Sequence, residues 1–74
     1  MIQWVVVKHA RVRDVFVDGI RSGQTNRLLA VSEGTHTFDL GEPRDYSPAR
    51  RRIAVTGTTR LVPGVVTFDV EAAA

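Results

Sequence analysis

Short runs in which apolar and polar side chains alternate, such as Val15 to Val17, Thr35 to Leu40 and Val66 to Val70, are cut apart by turn sequence. That turn sequence carries Gly19, Gly23, Gly34, Gly41, Gly57 and Gly64. A helix repeats its buried face every 3.6 residues and a strand every second residue, so the spacing of apolar side chains distinguishes the two. No stretch of this chain carries the helical period. The sequence therefore predicts an all-β fold, a small antiparallel β-sandwich of about six or seven strands.

The first strand of that fold is unusual. Ile2, Trp4 and Val6 fall on one face and Val5 and Val7 on the other, so both faces are apolar. A strand of this kind is normally covered on both sides, by the second layer of its own domain and by a tail or a neighbouring subunit. Trp4, Val5 and Val7 are accordingly the candidate interface, with Trp4 as a core or interface anchor. A second strand over 12–18 ends at Asp18-Gly19, a pair suited to a tight turn because Asp tolerates the left-handed conformation and Gly adopts it without steric cost.

Arg21 to Asn26 is a polar cluster and predicts a loop. The runs Leu28 to Val31 and Thr35 to Leu40, joined by Ser32, Glu33 and Gly34, predict a hairpin pair. Pro43 and Pro48 frame a long connection around Tyr46 that can cross between sheets. The next strand, 50–56, has Arg51, Ile53 and Val55 on one face and Arg50, Arg52 and Ala54 on the other. A last alternating strand ends at Val70. The reading is one domain over 1–70 and a disordered tail over 71–74.

With 74 residues the chain is marginal for even one hydrophobic core, and with no cysteine it has no disulfide or thiolate metal site to reinforce it. Reinforcement by a partner chain, including a second copy of itself, is therefore expected. Ten cations against eight anions leave a net charge of only +2, and every cation except Lys8 is arginine, the residue suited to planar, bidentate contacts with carboxylate or phosphate. No run approaches the ~20 apolar residues of a membrane-spanning helix. The start lacks a cationic leader and cleavage site, which predicts a cytoplasmic location, or an extracytoplasmic one if the chain belongs to a larger exported protein.

Catalytic chemistry has little to draw on. His9 and His36 are the only histidines, and no serine sits in a nucleophile elbow. Ser32, His36 and Asp39 could be assembled on paper into a triad, but in a strand His36 and Asp39 face opposite ways. His36 is expected instead at a strand end, its ring on the core edge and bonded to a turn. No glycine-rich loop leads into a helix to cradle phosphate. The sequence thus predicts no enzyme, no catalytic residue, no metal and no cofactor. The arginines supply an alternative: Arg50 and Arg52, with Arg44, could bind anions and make the chain a small single-stranded nucleic-acid binder. Arg11, Arg13 and Arg60 could extend that stripe. Such binding needs aromatics for base stacking, and only Tyr46 is free of an expected core role.

Over roughly 14–70 the chain resembles the PEGA domain family. The resemblance rests on the strand ending in Asp18-Gly19, a polar loop with Gly23 and Thr25, a strand of Leu28 to Val31, then Glu33, Gly34, Thr35 and His36 and a second alternating strand. Tyr46 followed by Pro48 fits the same pattern. The chain departs from it in having Ser32 and Thr35 around Glu33-Gly34 and Asn26 after Gly23, Gln24 and Thr25, where the family tends to have proline. The resemblance implies a compact, non-catalytic β-sandwich module of the kind found in larger bacterial and archaeal proteins, acting through protein contacts.

Overall fold

The computed structural model describes residues 2–70, and these form nine strands and no helix. They are β1 (Ile2–Lys8), β2 (Asp14–Val17), β3 (Ile20–Gln24), β4 (Leu28–Ser32), β5 (Gly34–Asp39), β6 (Tyr46–Ser47), β7 (Arg51–Val55), β8 (Gly64–Thr67) and β9 (Asp69–Val70). One sheet has the order β4-β1-β8, with β1 antiparallel to β4 and parallel to β8. The second has the order β3-β2-β5-β7 and is antiparallel throughout. A short antiparallel ladder of β6 and β9 completes the structure. The expected all-β, antiparallel-dominated class is what the chain adopts.

Alternation decides what is inside. Val5 and Val7 of β1, Leu29 and Val31 of β4 and Val66 of β8 are buried from the first sheet, and Val15, Val17, Phe38 and Val55 from the second. Leu40, Tyr46 and Phe68 belong to the same core. Buried Gln3 and Thr25 are paired, as burial without a partner would cost about 1–3 kcal/mol each, whereas His9 is buried with its Nε2 unpartnered among the described residues. Gln3 Oε1 accepts from the backbone N–H (2.8 Å) and hydroxyl (2.7 Å) of Thr58, and the Thr58 hydroxyl oxygen accepts from the Trp4 N–H at 2.7 Å. Thr25 Oγ1 accepts from the Arg13 N–H and donates to the Arg11 carbonyl.

Four expectations are corrected. Residues 21–24 form an edge strand and not a loop: Asp18 and Gly19 both have positive φ (53° and 83°), the two-residue turn whose twist suits a hairpin, and β3 folds straight back on β2. Polarity misled there because β3 is largely exposed, so no apolar alternation was needed. Gly23 lies against β4, where an added Cβ would overlap Leu29 Cδ2.

The runs on either side of Glu33 are not a hairpin pair. β4 pairs with β1 and β5 pairs with β2 and β7, so the chain changes sheet there. Trp4 is half-buried on the outer side of β1 and lies outside the core, while Val5 and Val7 are 1% and 0% exposed and lie inside it. Among the described residues the strands number nine, because β3 and β6 join the six alternating runs and the last of those runs divides into β8 and β9. The expected tail, 71–74, lies outside the described residues.

Candidate functional site

The outward side of the β4-β1-β8 sheet is the most distinctive surface of the described residues. The register sets Val6 opposite Leu28 on one side and Val65 on the other, giving an apolar row three strands wide. Trp4 and Ile2 continue it along β1. Ile2, Leu28 and Val65 are exposed by 58%, 38% and 56%. The Trp4 N–H bond to Thr58 holds the β7–β8 connection against β1, and Arg60 from that connection lies over the indole, its guanidinium carbon 5.3 Å from the ring centroid. A guanidinium on an indole face is attractive and keeps the ring's orientation fixed. The same connection exposes Leu61 and Val62.

This arrangement divides the three candidate interface residues. Trp4 is on the outer surface, whereas Val5 and Val7 face the other way and are occupied with the core, so a contact through β1 uses Ile2, Trp4 and Val6. The candidate anion-binding residues Arg44, Arg50 and Arg52 are all exposed, and none forms an ion pair among the described residues. Arg52 lies on the outer side of β7, Arg50 directly precedes that strand, and Arg44 lies in a different connection.

Arg11 and Arg13 are committed elsewhere. Both pair with Asp45, and Arg13 also donates to the Pro43 carbonyl at 2.7 Å and lies 5.5 Å from the Tyr46 ring centre. The Arg13 hydrogen bond holds the Asp45 carboxyl below its usual range. Tyr46 itself is buried. Its hydroxyl donates to the Gly41 carbonyl and accepts from the Leu40 N–H, and its ring meets Phe68 edge-on at 5.5 Å. The one aromatic that the sequence left free for base stacking is therefore used internally.

His36 sits where the two sheets exchange the chain. Its Nδ1 is 2.6 Å from Asp18 Oδ2, and its Nε2 is 2.7 Å from the Ser32 carbonyl and 3.3 Å from Ser32 Oγ. Asp18 Oδ1 also accepts from the Thr37 N–H. The three side chains copy the order of an acid–base triad, but the carboxylate and the carbonyl both accept, so both ring nitrogens carry protons in this arrangement. An imidazolium has no lone pair with which to take a proton from Ser32. The Asp18 bond first and the Ser32 carbonyl second raise the His36 pKa, and His36 with Thr37 lowers that of Asp18.

The cluster thus clasps the β2–β3 turn, the end of β4 and β5 together. Asp39 points away from His36, as alternation required, and accepts from the Gly41 N–H. The carboxylate that does reach His36 comes from a turn 18 residues earlier, a partner the sequence signals only through tertiary pairing of β2 with β5.

An open groove of about 320 Å³ lies between the ends of β1 and β9, lined by Lys8, His9, Asn26 and Asp69 among others. Asn26 there is already bonded to the His9 backbone through both its side-chain oxygen and nitrogen. Among the described residues no three His, Asp or Glu side chains gather as a metal site would require, and no helix is long and apolar enough to cross a membrane. Compared with protein-family models, curated proteins and solved structures, the chain matches none of them.

Proposed function

We propose that this chain is a non-catalytic β-sandwich interaction module, of the kind its resemblance to PEGA domains implies, and that it associates with a second copy of itself through the outer face of β4-β1-β8. The observation that carries this reading is the uncharged row of Leu28, Val6 and Val65, continued by Trp4 and Ile2. Contiguous exposed apolar surface of this kind marks contact sites. Burying it strips water from no charge in that row, and an aromatic ring held by Arg60 is the type of rigid anchor that dominates contact energetics.

A second copy is favoured as occupant for two reasons. A chain of 74 residues with no cysteine has a small core to rely on. An apolar row on a sheet face, with Lys8 and Arg60 at its margins, can also meet its own copy across a two-fold axis.

Sedimentation equilibrium of wild type and Val65→Glu tests it. Val65 is more than half exposed, so the variant should fold, and a charge within the apolar row should leave it monomeric. Wild type should show a monomer–dimer equilibrium at micromolar to submillimolar concentrations. A wild-type chain that stays monomeric up to about 0.5 mM would reject self-association of any useful strength.

A further inference from the structure

The two sheets do not close on one another at both edges. On the β3–β4 side Gly23 and Leu29 are in close approach. On the other side β7 ends one sheet and β8 ends the other, and neither has a strand neighbour on its outer side among the described residues. Between them lies a recess of about 110 Å³ whose floor is Val5 and whose walls include Ile53, Val55, Gly64 and Val66. Ile53 packs on the core yet stays partly open to that recess. The seam is bounded at one end by the β7–β8 connection and at the other by Arg51, which reaches the Thr67 carbonyl at 3.4 Å.

The charges carried by β7, β8 and the connection between them are all positive, and the carboxylate at the seam, Glu33, comes from the β4–β5 turn and accepts from the Thr56 hydroxyl at 3.0 Å. From Tyr46 to Phe68 the chain contains Arg50, Arg51, Arg52 and Arg60 and no carboxylate at all. Alternation within β7 sends Ile53 and Val55 inward and Arg52 outward, and Arg50, just before the strand, is exposed. An unpaired strand edge is a template for another strand, since main-chain N–H and C=O groups there lack ladder partners. A strand laid along β7 would place every second side chain over the recess beside Ile53 and Val55, and the intervening ones beside Arg50 and Arg52.

We propose that the outer edge of β7 accepts an extended peptide strand in which apolar side chains alternate with carboxylates. The apolar set fills the recess between β7 and β8, and the acidic set pairs with Arg50 and Arg52. This contact lies at the β7–β8 edge and meets the outer face of β4-β1-β8 only at Val65.

Fluorescence anisotropy with labelled octapeptides tests it. The probes are alternating Val/Glu, alternating Val/Lys, and two Val/Glu peptides N-methylated on every valine or on every glutamate nitrogen. Cross-strand charge pairs contribute enough that Val/Glu should bind at least about tenfold more tightly than Val/Lys. One of the two methylated peptides should lose binding, because one series of amides faces β7.

Arg50→Glu/Arg52→Glu, which alters only exposed side chains, should reverse the preference, and Leu28→Glu, on the outer face of β4 and away from the recess, should leave it intact. The proposal is overturned by equal affinity for both charge signs, by retention of binding in both methylated peptides, or by no anisotropy change up to about 1 mM Val/Glu. It is also overturned if β7 amides become protected from hydrogen exchange with rising protein concentration alone, which would mean that a second copy holds that edge.

Discussion

Val5 and Val65 lie on neighbouring strands of one sheet with opposite assignments, and truncating each to alanine separates the core from the outer face. Val5 is 1% exposed and Val65 56%. Val→Ala removes two carbons. At about 0.8 kcal/mol per buried methylene the transfer loss at Val5 is roughly 1.6 kcal/mol, and the space left behind adds to it. Because Val5 already floors a recess open at the β7–β8 seam, that space is partly reached by solvent, which keeps the total near about 2 kcal/mol.

A 74-residue domain has only about 4–11 kcal/mol of stability, so the loss is a large share of it. In a domain of this size it corresponds to a fall in Tm of roughly 8–16 °C. Val65→Ala should change monomer stability by less than about 0.5 kcal/mol, as surface changes do. Urea unfolding at about 1 μM, read by the fluorescence of the single tryptophan, keeps self-association out of the comparison. Equal losses at the two positions, or a larger one at Val65, would refute the assignment of faces on β1 and β8.

The His36 clasp makes stability depend on pH. Its raised pKa means that the folded state holds the proton more tightly than the unfolded chain, so the clasp contributes fully below the ordinary imidazole value of 6.5 and is lost as pH rises through the raised value. The lowered Asp18 pKa contributes above the ordinary 3.8 and is lost as pH falls through its lowered value. Urea midpoints should therefore decline from about pH 5.5 to about pH 9, and His36→Gln should flatten that slope; an unchanged slope in the variant would contradict the clasp. Tyr46→Phe removes a hydroxyl that satisfies both Leu40 N–H and Gly41 C=O, and should cost about 1–2 kcal/mol in the same assay, with no loss contradicting the bonding described.

What the chain reveals before its structure is known follows from which interactions are local. Strand alternation identified the buried faces of β2, β5 and β8, because a pleated strand with one face on a core writes that fact every second residue. Asp18-Gly19 announced its turn for the same reason: the required backbone conformation is a property of the two residues themselves. The exposed edge strand β3 was illegible because nothing buried demanded a pattern there.

The change of sheet at Glu33 was equally hidden, since a tight connection between two alternating runs reads alike whether they pair with each other or with different neighbours. β1 was ambiguous in its own way. Both faces are apolar, and only the position of the second layer selects Val5 and Val7 for the core and leaves Trp4 outside. The seam between β7 and β8 depends on strand order, which composition does not encode, although the arginine-rich, acid-free stretch that flanks it is visible in the chain.

The contact surface itself is tested most directly by a concentration series of ¹H–¹⁵N spectra on uniformly labelled protein. The account predicts concentration-dependent shifts gathered on Ile2, the Trp4 indole N–H, Val6, Leu28 and Val65, with the β7 edge unaffected. Spectra that do not change with concentration, or shifts that gather on β7 and β3 and spare the β4-β1-β8 face, would contradict it.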